Sequence, residues 1–279
     1  MTSDKSTLDV VQTGKGRDLV LLHSLLSDRT AFDRITPRLA NERRVWLVNL
    51  PGFGASAPAG PGLDDVADRL AGELPKLGLS RDADLLGNGF GGFVAVALAV
   101  RHGGLFDRLV LVDTGAAIPP QGKDAFEAMA QRVEAGGMEA VLSVALQRMF
   151  PDDFLAANPT IAEERKAALR AARPENFAAA CRALAQFDAR SALASIRNPT
   201  LVVVGLRDTA TPPALSYELV NGIAGAKLIE LPHCGHSPHI QDPEGFWQAI
   251  KPFLKLAGSS GRYRTAGGAR CSKSAKGRA

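Results

Sequence analysis

The feature that most narrows the folds open to this sequence is a recurring alternation of short, nearly unbroken apolar runs with longer stretches of helical periodicity. The runs "LDVVQ", "DLVLLH", "RVWLVNL", "ADLLG" and "RLVLVD" are too uniformly apolar to be strands with one wet face. Strands of this kind are buried on both sides, so their series predicts a parallel sheet covered by helices on each face, an α/β fold.

The alternation is interrupted once. From residue 117 to 196, "KDAFEAMAQRVEAGGMEAVLSVALQRMF", "PTIAEERKAALRAA" and "PENFAAACRALAQF" repeat apolar residues at three-four spacing, with Pro and Gly as punctuation and no strand signal. The alternation then resumes with "PTLVVVGLRD", a helix from Pro212 to about Gly225, "AKLIELPHCGH" and a last helix through "PEGFWQAIKPFLKL". The expected organisation is a core of residues 1–116 and 197–257, an all-helical cap of residues 117–196, and a tail of residues 258–279. At 279 residues and 46% apolar content the chain is long enough to bury a sizeable core.

Charge separates the tail from the rest. The formal net charge is +4, but residues 258–279 hold six basic residues and no acid, which leaves −2 for the preceding 257 residues. The basicity belongs to a Gly/Ser-rich tail that reads as disordered, and it gives no reason to expect a nucleic-acid face on the fold. Three widely spaced cysteines, Cys181, Cys234 and Cys271, suggest reduced thiols rather than a disulfide framework. No apolar run approaches the roughly 18 residues of a membrane span, and the N-terminal segment shows no secretory pattern. The expectation is a cytoplasmic protein without membrane or nucleic-acid partners.

Two readings compete for the glycine burst in "DADLLGNGFGGFVAVALA". Gly87, Gly89 and Gly92 fit G-x-G-x-x-G between a strand and a helix, with Asp113 about 20 residues on, the pattern of a dinucleotide-binding oxidoreductase. That fingerprint usually opens the first βαβ unit, whereas here at least three strand signals precede it. The other reading is a nucleophile elbow, G-x-S-x-G, represented by "GNGFG" with Gly89 at the third position. It also accounts for "VLLHSLLSDRTAFD" where an oxyanion loop belongs, and for an acid in "GLRD" followed by a histidine in "PHCGH".

On these motifs the chain from about residue 8 to 256 resembles the α/β-hydrolase superfamily. The cap segment "NFAAACRALAQFDAR" and the loop "HSLLSD" look most like the 3-oxoadipate enol-lactonase branch and neighbouring small-ester hydrolases. The resemblance implies an elbow at Gly87 to Gly91, oxyanion donors at the backbone N–H groups of Leu25 and Phe90, Asp208 as the acid and His236 as the base. It implies a small, apolar ester or lactone as substrate, with no cofactor and no metal.

The departure from that pattern is Gly89, which brings no side chain to the nucleophile position. Chemistry at such a site would have to run through a water activated by His236 or another cofactor-free proton transfer. A protein that binds a small molecule without turnover is the alternative. Ser24 and Ser27, in the oxyanion loop, and Cys234, two residues before His236, could each approach the space beside Gly89, but read more simply as a small loop residue, a helix cap and a small buried group. His23 reads as a loop brace and Asp113 as a turn cap. His233, His236 and His239 have a loose metal-like spacing, without the carboxylates or thiolates that would support it.

Overall fold

A computed structural model describes residues 7–257; the expected tail, with Cys271, lies outside them. Seven strands form one sheet: β1 (Val10–Gly14), β2 (Arg17–Leu22), β3 (Arg43–Val48), β4 (Asp84–Asn88), β5 (Leu109–Val112), β6 (Thr200–Gly205) and β7 (Lys227–Leu231). Their order is β1-β3-β2-β4-β5-β6-β7, with only β1 antiparallel to its neighbour.

The central strands are apolar throughout because each face has its own cover. Alternate residues point to opposite sides of a strand. Leu19, Leu21, Leu86, Val110, Val112, Leu201 and Val203 therefore meet Phe32, Phe246, Trp247 and Ile250, the last three from helix Pro243–Leu254. On the other face Val20, Leu22, Leu85, Leu111 and Val202 pack beneath helices Leu63–Glu73 and Phe90–His102. Helix Phe90–His102 has apolar residues all round and is enclosed on every side as far as Ala99. By contrast β7 lies at the sheet edge and is half-exposed, so "KLIEL" is not the two-sided strand its composition suggests.

Between β5 and β6 the chain leaves the sheet through helices Pro120–Gly136, Leu142–Met149, Asp152–Ala157, Pro159–Arg170 and Pro174–Gln186. "GG" at Gly136-Gly137 ends the first of these, with Gly137 at φ +65°. The excursion closes at its neck, where Ala117 pairs with Asp188 in an isolated antiparallel bridge and the Ala189 N–H donates to the Ala116 carbonyl at 2.8 Å. Phe126, Met129, Val133, Leu142 and Leu146 then join the same apolar body as the helices over the sheet, so these five helices are seated on it as a cap.

Candidate active site

The site sits where the C-terminal ends of β2, β4 and β6 meet the cap. The central feature is the turn from β4 into helix Phe90–His102, made by Gly89 at φ +52°, ψ −118°. The flanking glycines are required by close approach. A Cβ on Gly87 would lie 2.3 Å from the Gly91 carbonyl oxygen, and one on Gly91 would lie 2.3 Å from that of Leu22. Strand, turn and neighbouring strand therefore pack too tightly for any side chain at either position.

These glycines do not form a phosphate cradle. The Gly91 N–H is given to the His23 carbonyl at 3.0 Å and that of Gly92 to Gly89 at 2.9 Å. Asp113, the acid that the dinucleotide reading would assign to a ribose, is fully buried and accepts the Gly205 N–H at 2.7 Å, joining the ends of β5 and β6. Burial, followed by the nearby Asp208 charge, pushes its carboxyl well above the usual carboxylate range. It is also held at φ +46°.

Asp208 and His236 come together. The Asp208 carboxylate accepts the Ala210 and Thr211 N–H groups at 2.7 and 3.1 Å, the Thr211 hydroxyl at 2.6 Å and His236 Nδ1 at 2.9 Å. These bonds satisfy both carboxylate oxygens and assign the Nδ1–H tautomer to His236, leaving Nε2 as an acceptor. The histidine loop is anchored from two sides: the His236 N–H donates to the Met149 carbonyl of the cap at 3.0 Å, and Asn88 Nδ2 donates to the His236 carbonyl at 2.9 Å. Nε2 faces the elbow, since a Cβ built on Gly89 would lie 2.5 Å from it.

The bond that Nε2 makes is the main departure from the sequence-based expectation. Ser24, read there as a small loop residue, is 1% exposed and places its Oγ 2.9 Å from His236 Nε2. Sheet register explains the meeting. β2 pairs with β4 in parallel with Leu22 opposite Gly87, so Ser24 and Gly89, each two residues further on, emerge side by side. The hydroxyl in "LLHSLL" was the available signal, but its use depended on knowing that β2 and β4 are neighbours.

The other candidates settle into lesser places. His23 braces the loop as expected: Nε2 accepts the Leu50 N–H at 3.0 Å and Nδ1 meets the Ser24 carbonyl at 2.8 Å. Burial holds this ring down to about 4 and therefore neutral. Ser27 is not the cap of the following turn; that is Asp28, which accepts the Thr30 N–H at 3.0 Å. Cys234 is buried, and burial pushes its thiol up to about 12. Of the three spaced histidines, His233 is exposed and His239 is buried between the Phe32 and Phe246 rings, so the three do not converge on one set of ligands. Among the described residues no group of three or more His, Cys, Asp or Glu is placed to hold a metal ion.

Above Gly89 lies a small cavity roofed by Phe126 and Met129 of the cap and floored by Ser24, Phe90 and His236. Leu25 and Phe90 also line it, and no hydrogen bond from either backbone N–H to a described residue is formed. One side of this largely apolar space is closed by Arg148, whose guanidinium donates to the Ala210 carbonyl at 3.2 Å and lies over the Phe126 ring. No local pattern points to this arginine, because nothing in a helical repeat says which of its polar residues turns toward the sheet.

A mostly parallel sheet, a tight strand-turn-helix elbow, and an acid–histidine pair delivered by the two last strands define the α/β-hydrolase class. A model described as the alpha/beta hydrolase family matches residues 19–249, and the chain belongs to that family. It is 32% identical over 259 residues to the pimeloyl-[acyl-carrier protein] methyl ester esterase of Chromobacterium violaceum, covering 89% of this chain and 98% of that protein. Among solved structures it is similar to a thermophilic esterase from Thermogutta terrifontis (31% identity, TM-score 0.82, covering 89% of this chain and 93% of that one). It is also similar to the enol-lactonase from Burkholderia xenovorans LB400 (28% identity, TM-score 0.83, covering 89% and 96%). Among the described residues no helix is long and apolar enough to cross a membrane.

Proposed function

We infer that this protein hydrolyses a small ester or lactone in the cavity between the sheet and the cap. His236, oriented by Asp208, acts as general base, and the N–H groups of Leu25 and Phe90 receive the charge that develops on the acyl oxygen. The observation that carries the reading is the Asp208–His236 hydrogen bond of 2.9 Å, with Nε2 turned to the elbow. The apolar cavity walls, and the esterase and enol-lactonase relatives, support an ester or lactone as the substrate class.

Position 89 offers no hydroxyl, so the oxygen that attacks the acyl carbon must be another O–H presented to Nε2. No cofactor is required by this chemistry. The alternative, a binding protein without turnover, draws on the same missing side chain, but gives the Asp208–His236 pair no chemical task. Turnover of p-nitrophenyl acetate and butyrate and of short lactones, measured for the parent and for His236→Ala, separates the two. Hydrolysis by the parent that the substitution abolishes supports the reading. Reversible ligand binding with no turnover of any of these substrates overturns it.

A further inference from the structure

We propose that Ser24 is the nucleophile of this site, replacing a hydroxyl at the elbow; the inference rests on the hydrolase reading above. Ser24 Oγ is the hydroxyl that His236 Nε2 accepts, at 2.9 Å, and Asp208 holds the opposite ring nitrogen at 2.9 Å. Ser24, His236 and Asp208 thus make a buried serine–histidine–aspartate chain of hydrogen bonds in which the serine comes from the loop after β2. Recognition of such a constellation depends on geometry and roles, not on sequence position.

Gly89 is what allows this arrangement. A Cβ at position 89 would stand 2.5 Å from Ser24 Oγ and 2.5 Å from His236 Nε2, inside the contact limit of both. The Ser24–His236 bond therefore passes through the space an elbow side chain would fill, and the two are mutually exclusive as the atoms stand. The oxyanion donors suit the exchange. In an elbow, one donor is the N–H of the residue after the nucleophile and the other comes from the loop opposite. With Ser24 as nucleophile, Leu25 is the residue after it and Phe90 the donor opposite, so the same two N–H groups serve with their parts reversed. Leu25 and Phe90 both line the cavity that Ser24 lines.

The reaction balances without a further reagent. His236 Nε2 takes the Ser24 hydroxyl proton as Oγ bonds to the acyl carbon, and the carbonyl electron pair moves onto oxygen toward the Leu25 and Phe90 N–H groups. Collapse breaks the bond to the alkoxy group, which leaves with the proton from Nε2. Water then gives a proton to Nε2 as its oxygen bonds to the acyl carbon, and Ser24 Oγ departs and recovers that proton.

The test is covalent labelling beside turnover. A fluorophosphonate is reacted with the full chain, and intact mass and peptide mapping locate the adduct in the parent, Ser24→Ala and His236→Ala. p-Nitrophenyl acetate hydrolysis is followed in the same three proteins. The expected result is one adduct per chain, on Ser24, absent from Ser24→Ala, with turnover lowered at least about a thousandfold by either substitution. The map of the parent is decisive without any variant, so a Ser24→Ala protein that failed to fold would not remove the test. An adduct on another residue overturns the proposal. So does His236-dependent turnover that leaves no adduct and survives Ser24→Ala within a few-fold; water is then the nucleophile, and the hydrolase reading stands. Absence of turnover for every ester and lactone tried, in the parent and in Gly89→Ser alike, overturns the hydrolase reading and this proposal with it.

Discussion

Restoring a hydroxyl at the elbow, Gly89→Ser, perturbs stability and activity in opposite directions. The new Cβ falls 2.5 Å from His236 Nε2, 2.5 Å from Ser24 Oγ and 2.9 Å from His236 Cε1. Ordinary contacts begin near 3.4 Å, so these neighbours must withdraw by about half an ångström to an ångström. Ser24 can do so by rotating about χ1, which breaks its bond to His236. The ring has less freedom, because Nδ1 is tied to Asp208 at 2.9 Å and Thr211 at 3.1 Å. The backbone adds its own cost: at φ +52° a non-glycine residue is strained by about 1–3 kcal/mol. At about 2–4 °C per kcal/mol, Tm should fall by roughly 2–12 °C.

Activity should move the other way. If Leu25, Phe90, Asp208 and His236 keep an acyl-transfer arrangement, Gly89→Ser introduced beside Ser24→Ala, where Ser24 no longer offers its hydroxyl to His236, should raise kcat toward p-nitrophenyl esters by orders of magnitude over Ser24→Ala alone, with a ceiling of about 10⁶ set by what dismantling such a triad costs elsewhere. Stopped-flow kinetics should show a burst of p-nitrophenol equal to the chain concentration, and thermal melts should record the lost stability. A variant as stable as the parent would refute the strain argument. One that melts lower, stays folded and shows no burst or rate gain would refute the arrangement of the oxyanion donors.

Asp208→Asn should leave the fold intact, since the amide oxygen still accepts from Ala210 and Thr211, but it no longer fixes the Nδ1–H tautomer; turnover should fall by about 10³–10⁴ with little change in KM. A smaller loss, or one confined to KM, would show that this pair is not the base. His239 gives a pH prediction. Burial, and then the neighbouring His236 and Arg165 charges, hold its ring at about 3, against an ordinary 6.5. The unfolded chain therefore takes up this proton below about 6.5 while the native chain does not, so the contribution is fully present above 6.5 and is lost as pH falls toward 3. His239→Leu, which also removes two buried ring nitrogens with no partner among the described residues, should lose less stability than the parent between pH 7 and 5. The difference should approach about 1.4 kcal/mol per pH unit in urea titrations at the lower end, and parallel losses would sink the argument. Asn88→Leu frees the His236 carbonyl that the amide now satisfies, while the Val112 carbonyl keeps the Gly89 N–H at 3.0 Å, and should cost about 1–3 kcal/mol together with a drop in kcat. An unchanged pH–rate profile and kcat would show that Asn88 supports the fold alone.

Much of this molecule is written in local pattern. Two-sided apolar runs such as "DLVLL" and "TLVVV" demand cover on both faces, and the three-four spacing of residues 123–150 cannot form a strand, so a covered parallel sheet with a helical excursion follows from hydrophobicity alone. The Gly87–Gly91 spacing and the late "GLRD" and "PHCGH" segments also carry information, because an elbow and its acid and histidine obey short-range rules of turn geometry and chain order. The strand order, by contrast, is a long-range property: nothing in the residues around Ser24 says that β2 will pair with β4 with Leu22 opposite Gly87. That register alone brings a hydroxyl from one loop to a histidine 212 residues later, and the missing Cβ at position 89 leaves the space in which they meet. Asn88, Thr211 and Arg148 were hidden for the same reason, since each acts on atoms delivered by another strand or by the cap. Sequence sets which residues must be buried and where the chain must turn. Which buried polar groups face one another is decided by register and packing between segments far apart in the chain.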